Sequence, residues 1–490
     1  MAAQYSGVLL HITSLPSPGG IGTLGQQARD FADFLAQAGQ DIWQVLPLTP
    51  TGAANSPYQS PSVLAGNPDL IDLWDLERCG LLTREELKAL PHEENVEQVD
   101  FPAVRQARQP LLRLAARRME TTEDYLCFLQ EQGDWLQNYA LYMALRHREG
   151  IPWYQWPAPL RDRQDAALQR EKQELSEEIE FYCREQYLFD RQWRALRAHA
   201  NSRGIRLWGD LPIYVAADSV DTWANREQFD LDELGIPREV AGCPPDAFSA
   251  TGQLWGNPLY RWDRMREDGY AWWKRRMGRT LDLVDGVRID HFRGFEQYYA
   301  IPYGEETAQL GQWRLGPGKE LFLALQAQYG PLPVIAEDLG MITPQVHQMR
   351  QELGYPGMKI LQFAFDSPES DYLPHRYPQD GNCVVYPGTH DNDTLQGWVD
   401  HAPDWMIQRA MNYLSLEQRK ELPRALLACA FQSRARWVIV PMQDHLGLGS
   451  QARMNIPATV ENNWQWRMCP GVLTPALAQR MREISRRPQQ

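Results

Sequence analysis

Eight short apolar runs, separated by turns and by stretches of helical periodicity, restrict most strongly how this chain can fold. They lie at residues 7–12, 42–48, 205–215, 284–292, 333–339, 358–365, 383–386 and 437–442. The runs are almost continuously apolar, which is typical of parallel strands buried on both faces. Residues 25–38 predict a helix between the first two runs, with Phe31 and Leu35 on its apolar face and Gly39 at its end.

Strands alternating with helices predict an α/β protein, specifically a (β/α)8 TIM barrel, whose functional groups lie at the carboxyl ends of the strands. The uneven spacing predicts two insertions: a helical subdomain at about 75–200, and a lid and subdomain at about 216–283. We expect residues 1–490 to form one catalytic domain that carries both insertions. Because long loops in compact domains are usually functional, the Pro- and Gly-rich loop at 241–256 is the candidate lid.

Charge and cysteine usage narrow the class of protein. The net charge of −14 disfavours nucleic acid and anionic membranes as partners, since both require a basic face. The first residues lack the basic and apolar regions of an export signal, and no apolar stretch is long enough to predict a membrane span. The seven cysteines are odd in number and form no C-x-x-C pair, which predicts reduced thiols in a cytoplasmic protein.

One glycine motif does not predict a nucleotide site. Gly20, Gly22 and Gly25 match G-x-G-x-x-G between a predicted strand and a helix. A dinucleotide fingerprint needs its first glycine at the strand end and an acid closing the next strand. Here Leu-Pro-Ser-Pro intervenes, and the next strand ends in Leu-Pro-Leu-Thr, so we interpret the motif as a tight loop before the first helix.

Three acidic residues stand at or just after apolar runs: Asp290, Glu337 and Asp391. Paired carboxylates at strand ends are what glycosidic-bond chemistry needs, one as nucleophile and one as proton donor. Arg288 shares a strand face with Asp290 and would keep it ionised. The apolar residues before Glu337 would raise its pKa, which suits a general acid.

Structural roles for these acids remain open alternatives. Arg288 and Asp290 could form a purely structural ion pair, and Glu337 or Asp338 could cap the following helix. A helix cap is equally possible within the cluster around Asp391, where Asp393 or Thr394 could serve.

Ordered motifs through residues 7–467 resemble those of 4-α-glucanotransferases of the amylomaltase type, which are relatives of the α-amylases. The motifs are NSPYQS (55–60), AGNP (65–68), GDLPIY (209–214), PPDAFS (244–249), QLWGNPLY (253–260), RIDHFR (288–293), AEDLG (336–340) and THDNDT (389–394). The resemblance implies a retaining enzyme without metal or organic cofactor. Its substrates would be maltooligosaccharides and glucans derived from starch or glycogen, with glucose as a possible acceptor.

The resemblance also implies roles for individual residues. Asp290 would be the nucleophile, Glu337 the acid/base, and Asp391 the residue that holds the distorted sugar. The same subsite would be lined by Tyr58, Asp210, Arg288, His291 and His390. The lid over the acceptor side would include Asp246, Phe248, Gln253 and Trp255.

The chain departs from some relatives at two places. Ala247 stands where some relatives carry Tyr, and the loop at 51–55 contains no aromatic residue. The resemblance therefore does not carry over a second glucan-binding site or a preference for very long or cyclic products. Two other functions stay open: an α-glucan hydrolase using the same site, and a non-catalytic glucan-binding protein, because one fold hosts many functions.

Overall fold

The computed structural model describes residues 4–90, 96–245 and 249–485. In chain order, β1 to β12 span Tyr5–Leu9, Ile42–Gln44, Arg206–Leu211, Glu239–Cys243, Gln253–Pro258, Gly286–Ile289, Gln297–Pro302, Gln312–Leu315, Val334–Ala336, Gly357–Ile360, Cys383–Tyr386 and Trp437–Pro441. The helices α1 to α17 span Gln26–Gln37, Leu73–Arg78, Phe101–Arg118, Glu123–Glu149, Ala158–Arg161, Asp165–Glu174, Ser176–Ser202, Val220–Ala224, Trp262–Glu267, Ala271–Leu283, Lys319–Tyr329, Pro344–Glu352, Leu395–His401, Asp404–Leu414, Leu422–Gln432, Met442–Leu446 and Pro475–Ser485.

Eight parallel strands close into a barrel in the order β1-β12-β11-β10-β9-β6-β3-β2. Each barrel strand lies within one of the eight apolar runs or begins no more than two residues before it, so the predicted (β/α)8 barrel is confirmed. Every residue of β6, β11 and β12 is buried, as expected for parallel strands covered on both faces. The first and last barrel strands pair from Tyr5↔Trp437 to Leu9↔Pro441, which closes the cylinder.

The predicted first helix is confirmed as α1. Phe31 and Leu35 are fully buried on its inner face, and Gly39 follows its end with a φ of 67°, a left-handed conformation that glycine adopts without strain. The preceding glycine motif serves close packing: a Cβ on Gly22 would lie 1.8 Å from the Ile12 carbonyl oxygen, and one on Gly25 would lie 2.1 Å from the Asp72 carboxylate. These contacts support the interpretation of the motif as a tight loop.

Long helices occupy much of the chain between β2 and β3. α4 packs along α7, and α7 also contacts α1 and β3. Buried residues of these helices, such as Leu145 and Trp193, belong to the same continuous core as barrel residues Val8 and Ile289. The helices and the barrel therefore share one hydrophobic core.

A second, antiparallel sheet has the order β5-β4-β7-β8. The segment at 241–256, for which the sequence predicts a loop, has a strand at each end, and the two strands pair at Gly242↔Leu254 and Cys243↔Gln253. β7 and β8 come from the segment between Asp290 and Glu337, so this sheet lies next to the turn that follows β6. In the residues that the structure describes, no helix is both long and apolar enough to cross a membrane.

Candidate active site

The three predicted acids follow three barrel strands at their carboxyl ends. Asp290 directly follows β6, Glu337 directly follows β9, and Asp391 lies five residues after the end of β11. Asp210 lies near the end of β3, where it is the register partner of Arg288 on the adjacent β6. This is the edge of a barrel where catalytic groups converge.

Arg288 lies between two carboxylates. Its Nη1 is 2.9 Å from both oxygens of Asp210 and 2.9 Å from Oδ1 of Asp290. Burial works against the charge of Arg288, but Asp210 and Asp290 outweigh it and raise its pKa well above the ordinary value. The Asp290 side chain is 29% exposed, whereas that of Asp210 is fully buried. Asp290 is thus the carboxylate of this group that a ligand can reach.

Glu337 is buried beside this group. Burial is the main reason that its pKa rises to about 7; Arg288 opposes the rise, and Asp290 adds to it. Oε2 accepts a hydrogen bond of 2.7 Å from the His291 backbone amide, and Oε1 accepts one of 2.8 Å from the Leu339 amide. These two amides fix the carboxyl group. The helix after β9, α12, is capped by Thr343, so neither Glu337 nor Asp338 caps it.

His390 connects the third acid to the Asp210 group. Its Nε2 lies 3.4 Å from Oδ2 of Asp391 and 3.0 Å from the Tyr58 hydroxyl, which donates a 3.0 Å hydrogen bond to Asp210. The Tyr58 and His390 rings stack with centroids 5.4 Å apart, and the Trp464 ring lies 5.7 Å from Tyr58 and 5.9 Å from His390. Thr394 caps α13, so Asp391 does not serve as its cap.

Two residues after β12 hold Asp391 and were not predicted. The Asn455 amide donates a 2.6 Å hydrogen bond to Oδ1 of Asp391, and Arg453 donates a 2.5 Å hydrogen bond to the Asp391 backbone carbonyl. The Asn455 backbone amide also donates to the His390 carbonyl, at 3.0 Å. Together with Trp464, these residues lie in an irregular segment without periodicity or apolar runs, so no pattern in the sequence marked them.

His291 and Trp255 connect the hairpin of β4 and β5 to the turn that follows β6. The His291 backbone is left-handed, with a φ of 49°, and this conformation aims its amide at Glu337. Its ring meets the Trp255 ring edge to face, with centroids 4.8 Å apart, and burial lowers its pKa to about 4, so the ring is neutral at physiological pH. Gln253 accepts a 3.1 Å hydrogen bond from the Trp255 indole.

The structure thus brings Tyr58, Asp210, Arg288, Asp290, His291, Glu337, His390 and Asp391 together, with Trp255 and Gln253 at the side. The predicted lid residues Asp246 and Phe248, and the departure at Ala247, lie outside the described residues. Within the described part of the chain, no group of three or more His, Cys, Asp or Glu side chains is arranged to hold a metal ion. The absence of a cofactor stays a prediction.

Comparison with known proteins identifies the family. The family model described as 4-alpha-glucanotransferase matches residues 10–473. The 4-alpha-glucanotransferase of Thermus thermophilus is 47% identical over 98% of this chain and 97% of its own length. The chloroplastic/amyloplastic 4-alpha-glucanotransferase of Solanum tuberosum is 46% identical over 95% of this chain and 82% of its own length.

Solved structures agree with the sequence comparisons. The amylomaltase from Streptococcus agalactiae, solved in complex with acarbose, superposes with a TM-score of 0.95 at 38% identity over 98% of both chains. The amylomaltase from Corynebacterium glutamicum, at 20% identity and a TM-score of 0.80, supports the fold alone. The resemblance inferred from the motifs is confirmed: the chain belongs to the 4-alpha-glucanotransferase family and is an enzyme of the amylomaltase type.

Proposed function

We propose that this enzyme moves α-1,4-glucan segments from a donor maltooligosaccharide to the 4-hydroxyl of an acceptor glucan or glucose, by a retaining double displacement. One observation carries the assignment of roles: an accessible carboxylate held by a cation, Asp290 with Arg288, lies beside a buried carboxyl, Glu337, whose pKa is about 7. Environments that differ in this way separate a nucleophile from a general acid.

In the first step, a carboxylate oxygen of Asp290 attacks the anomeric carbon of the donor. The bond to the leaving glycosidic oxygen breaks, and that oxygen takes the proton of Glu337. The product is a covalent β-glycosyl ester on Asp290, and Glu337 is left as a carboxylate. Arg288, 2.9 Å from Asp290, keeps the nucleophile ionised before the attack.

In the second step, Glu337 accepts the proton of the acceptor 4-hydroxyl while that oxygen attacks the anomeric carbon and displaces Asp290. Two inversions restore the α configuration, which requires the two carboxyl groups to lie about 5–5.5 Å apart. The backbone amides of His291 and Leu339 donate to Glu337 throughout, so its orientation is the same when it acts as acid and as base.

Asp391 holds the hydroxyls of the distorted sugar in this proposal. Its side chain is 41% exposed, and Asn455 fixes only one of its two oxygens by a short hydrogen bond. Tyr58, Asp210, His291 and His390 would line the same subsite. Gln253 and Trp255, with Asp246 and Phe248 of the same segment, would form the acceptor side.

For transfer to occur in place of hydrolysis, the bound and oriented acceptor sugar must react with the glycosyl enzyme faster than water does. A lid that excludes water until the acceptor is bound would meet this need. The hairpin of β4 and β5 supports this role, since Trp255 on β5 contacts His291 in the turn that follows β6 (residues 290–295), which we call the catalytic turn. A hydrolase would use the same carboxyl groups, so a transferase and a hydrolase are distinguished by the products that they form.

Incubation with maltotriose separates these functions. Transfer gives glucose and a ladder of longer maltooligosaccharides while the total number of reducing ends stays constant. A rise in reducing ends identifies a hydrolase, and the absence of any product identifies a glucan-binding protein. Asp290→Asn should abolish the ladder, whereas Asp371→Asn, at a carboxylate that is 85% exposed, should leave it intact.

A trapping experiment tests the covalent step. Glu337→Gln cannot protonate a glycosidic oxygen, but an α-maltosyl fluoride donor needs no protonation, because fluoride is a good leaving group. The variant should therefore accumulate an adduct of one maltosyl unit per chain, located on Asp290 by peptide mass spectrometry. An adduct on another residue would contradict the assignment.

We further infer that residues 1–490 act as one catalytic domain, supported by the core that the helices between β2 and β3 share with the barrel. A cytoplasmic location is supported by the cysteines. All seven lie within the described residues, and none of them forms a disulfide.

A further inference from the structure

An exposed tryptophan stands on the free edge of the antiparallel sheet. All four residues of β8, Gln312–Leu315, are exposed, and Trp313 retains 37% of its accessible surface. Its neighbour across the sheet is Tyr299 of β7, whose ring meets the Trp313 ring edge-on with centroids 5.1 Å apart. Leu315 and Leu310 nearby in the chain are 75% and 64% exposed. Large apolar groups exposed together usually mark a binding surface.

The Trp313 ring is supported from the direction of the catalytic turn. The Arg293 guanidinium lies over one face of the ring, with its carbon 3.9 Å from the ring centroid. Arg293 itself is only 6% exposed, so that ring face is covered by a buried cation. The exposed part of Trp313 therefore belongs to its other face and rim.

Arg293 also connects the Trp313 ring to the segments that follow β6 and β9. It lies three residues after Asp290 in the short 3-10 helix Phe292–Phe295, and its Nη1 donates a 2.6 Å hydrogen bond to the Met341 carbonyl, four residues after Glu337. The chain after β8 returns to the same turn, because the Gly318 amide donates to the Phe295 carbonyl at 2.8 Å. The position of Trp313 is thereby fixed relative to Asp290 and Glu337.

A flat aromatic ring, held on one face and open on the other, suits the apolar face of a pyranose ring. Tryptophan offers large contact area at little conformational cost, and here a stacked cation and an edge-on tyrosine restrict it further. Arg293 follows Asp290 by three residues and covers the face of the Trp313 ring on the side of the catalytic turn, so the free face of the ring points away from the sugar under attack. A sugar that stacks on this free face would therefore lie farther along the same glucan chain.

We propose that Trp313 is a stacking platform for a distant sugar unit of the acceptor α-glucan. The proposal rests on the transferase function above and adds a preference: acceptors long enough to reach Trp313 bind more tightly than glucose or maltose. The acceptor side is assigned because the contact of Arg293 with Met341 places the platform beside the segment that follows Glu337.

The first experiment measures acceptor kinetics in Trp313→Ala. Transfer from a labelled donor is followed with acceptors from glucose to maltoheptaose. The variant should raise KM for the long acceptors about tenfold, with kcat and the KM for glucose unchanged. Trp313→Phe should restore most of the affinity for the long acceptors. Trp405→Ala is the matched control, since Trp405 is 53% exposed and is also stacked by an arginine, Arg409, but lies on α14.

The second experiment measures binding without turnover. In the Asp290→Asn background, calorimetric titration with maltose and with maltoheptaose should show that Trp313→Ala weakens only the heptaose. Equal effects on short and long ligands, or no effect on either, would contradict the role of Trp313 as a stacking platform. Failure of the proposed function is a separate result, since the unaltered enzyme would then form no ladder of longer maltooligosaccharides from maltotriose.

Discussion

The Asn455 side-chain amide lies 2.6 Å from Oδ1 of Asp391, although 64 residues separate them in the chain. The bond leaves Oδ2 of Asp391 facing His390, at 3.4 Å from its Nε2. A residue after the last barrel strand thus orients a carboxylate after the seventh barrel strand. In the proposed reaction, this contact sets the direction from which Asp391 meets the sugar.

Asn455→Ala should therefore lower kcat while leaving the fold intact. A hydrogen bond to a charged group contributes about 1.5–3 kcal/mol, which corresponds to roughly a 10- to 150-fold loss in rate if it is needed in the transition state. Steady-state kinetics with maltotriose measure the loss. Asn412→Ala, at an exposed position on α14, is the control. An unchanged kcat would show that Asp391 does not depend on Asn455.

The pKa of Glu337 predicts a pH dependence. Burial raises this pKa to about 7, so the acid is protonated below about pH 7 and loses its proton above it. Since kcat/KM reports the free enzyme, it should fall about tenfold per pH unit on the alkaline side of this value. Glu352→Gln, at an exposed glutamate, should leave the profile unchanged. A profile that is flat to pH 9 would contradict the role of Glu337 as acid.

Removal of the Arg288 cation should destabilise the fold in a pH-dependent way. Arg288→Gln leaves the Asp210 carboxylate buried without its partner, which costs about 3–5 kcal/mol at pH 7. Burial raises the pKa of Asp210, so protonation relieves the cost as the pH falls. Denaturant unfolding at pH 5 and 7 should therefore show the smaller loss at pH 5.

Two further variants sharpen this test. Asp210→Asn combined with Arg288→Gln should recover part of the stability, because the buried charge is then absent. Arg314→Gln breaks the half-exposed ion pair with Glu239 and should cost no more than about 1 kcal/mol. Equal losses for Arg288→Gln and Arg314→Gln would argue against a buried charge network.

Asp444, in α16, provides a second pH-dependent group. Burial raises its pKa to about 7, above its ordinary value of 3.8, so the fold loses stability as the pH rises from about 4 through about 7.

Asp444→Asn keeps the acceptor for the Leu395 amide and removes the charge. The melting temperature of this variant should match that of the unaltered protein at pH 4 and exceed it at pH 8. The gain at pH 8 is at most about 4 kcal/mol, since each pKa unit corresponds to about 1.4 kcal/mol. Identical curves would contradict the prediction.

The barrel could be predicted because its strands are buried on both faces and so appear as continuous apolar runs. The predicted run at 205–215 is longer than β3, which ends at Leu211, because residues past the barrel rim remain buried without strand pairing. The antiparallel sheet was not predicted. Its edge strand β8 has no buried residue, so it leaves no apolar pattern.

The candidate site likewise has contacts that could be predicted from the sequence and contacts that could not. Arg288 and Asp290 are two residues apart, so strand geometry alone placed them on one face, and their ion pair is present. The pairing of Arg288 with Asp210 depends on the register between β3 and β6, which local sequence does not specify. Asn455 and Trp464 lie in an irregular segment, and only tertiary structure brings them to the strand ends.

The closure of the barrel by β1 and β12 has a consequence for synthesis on the ribosome. Trp437, the first residue of β12, pairs with Tyr5, and Asn455 and Trp464 follow still later in the chain. A nascent chain carries Asp290 and Glu337 long before it contains the residues that close the cylinder and orient Asp391. The proposed site is therefore incomplete until the chain has been synthesised past Trp464, and a chain arrested before residue 437 would expose unpaired edges of β1 and β11 to chaperones or to aggregation.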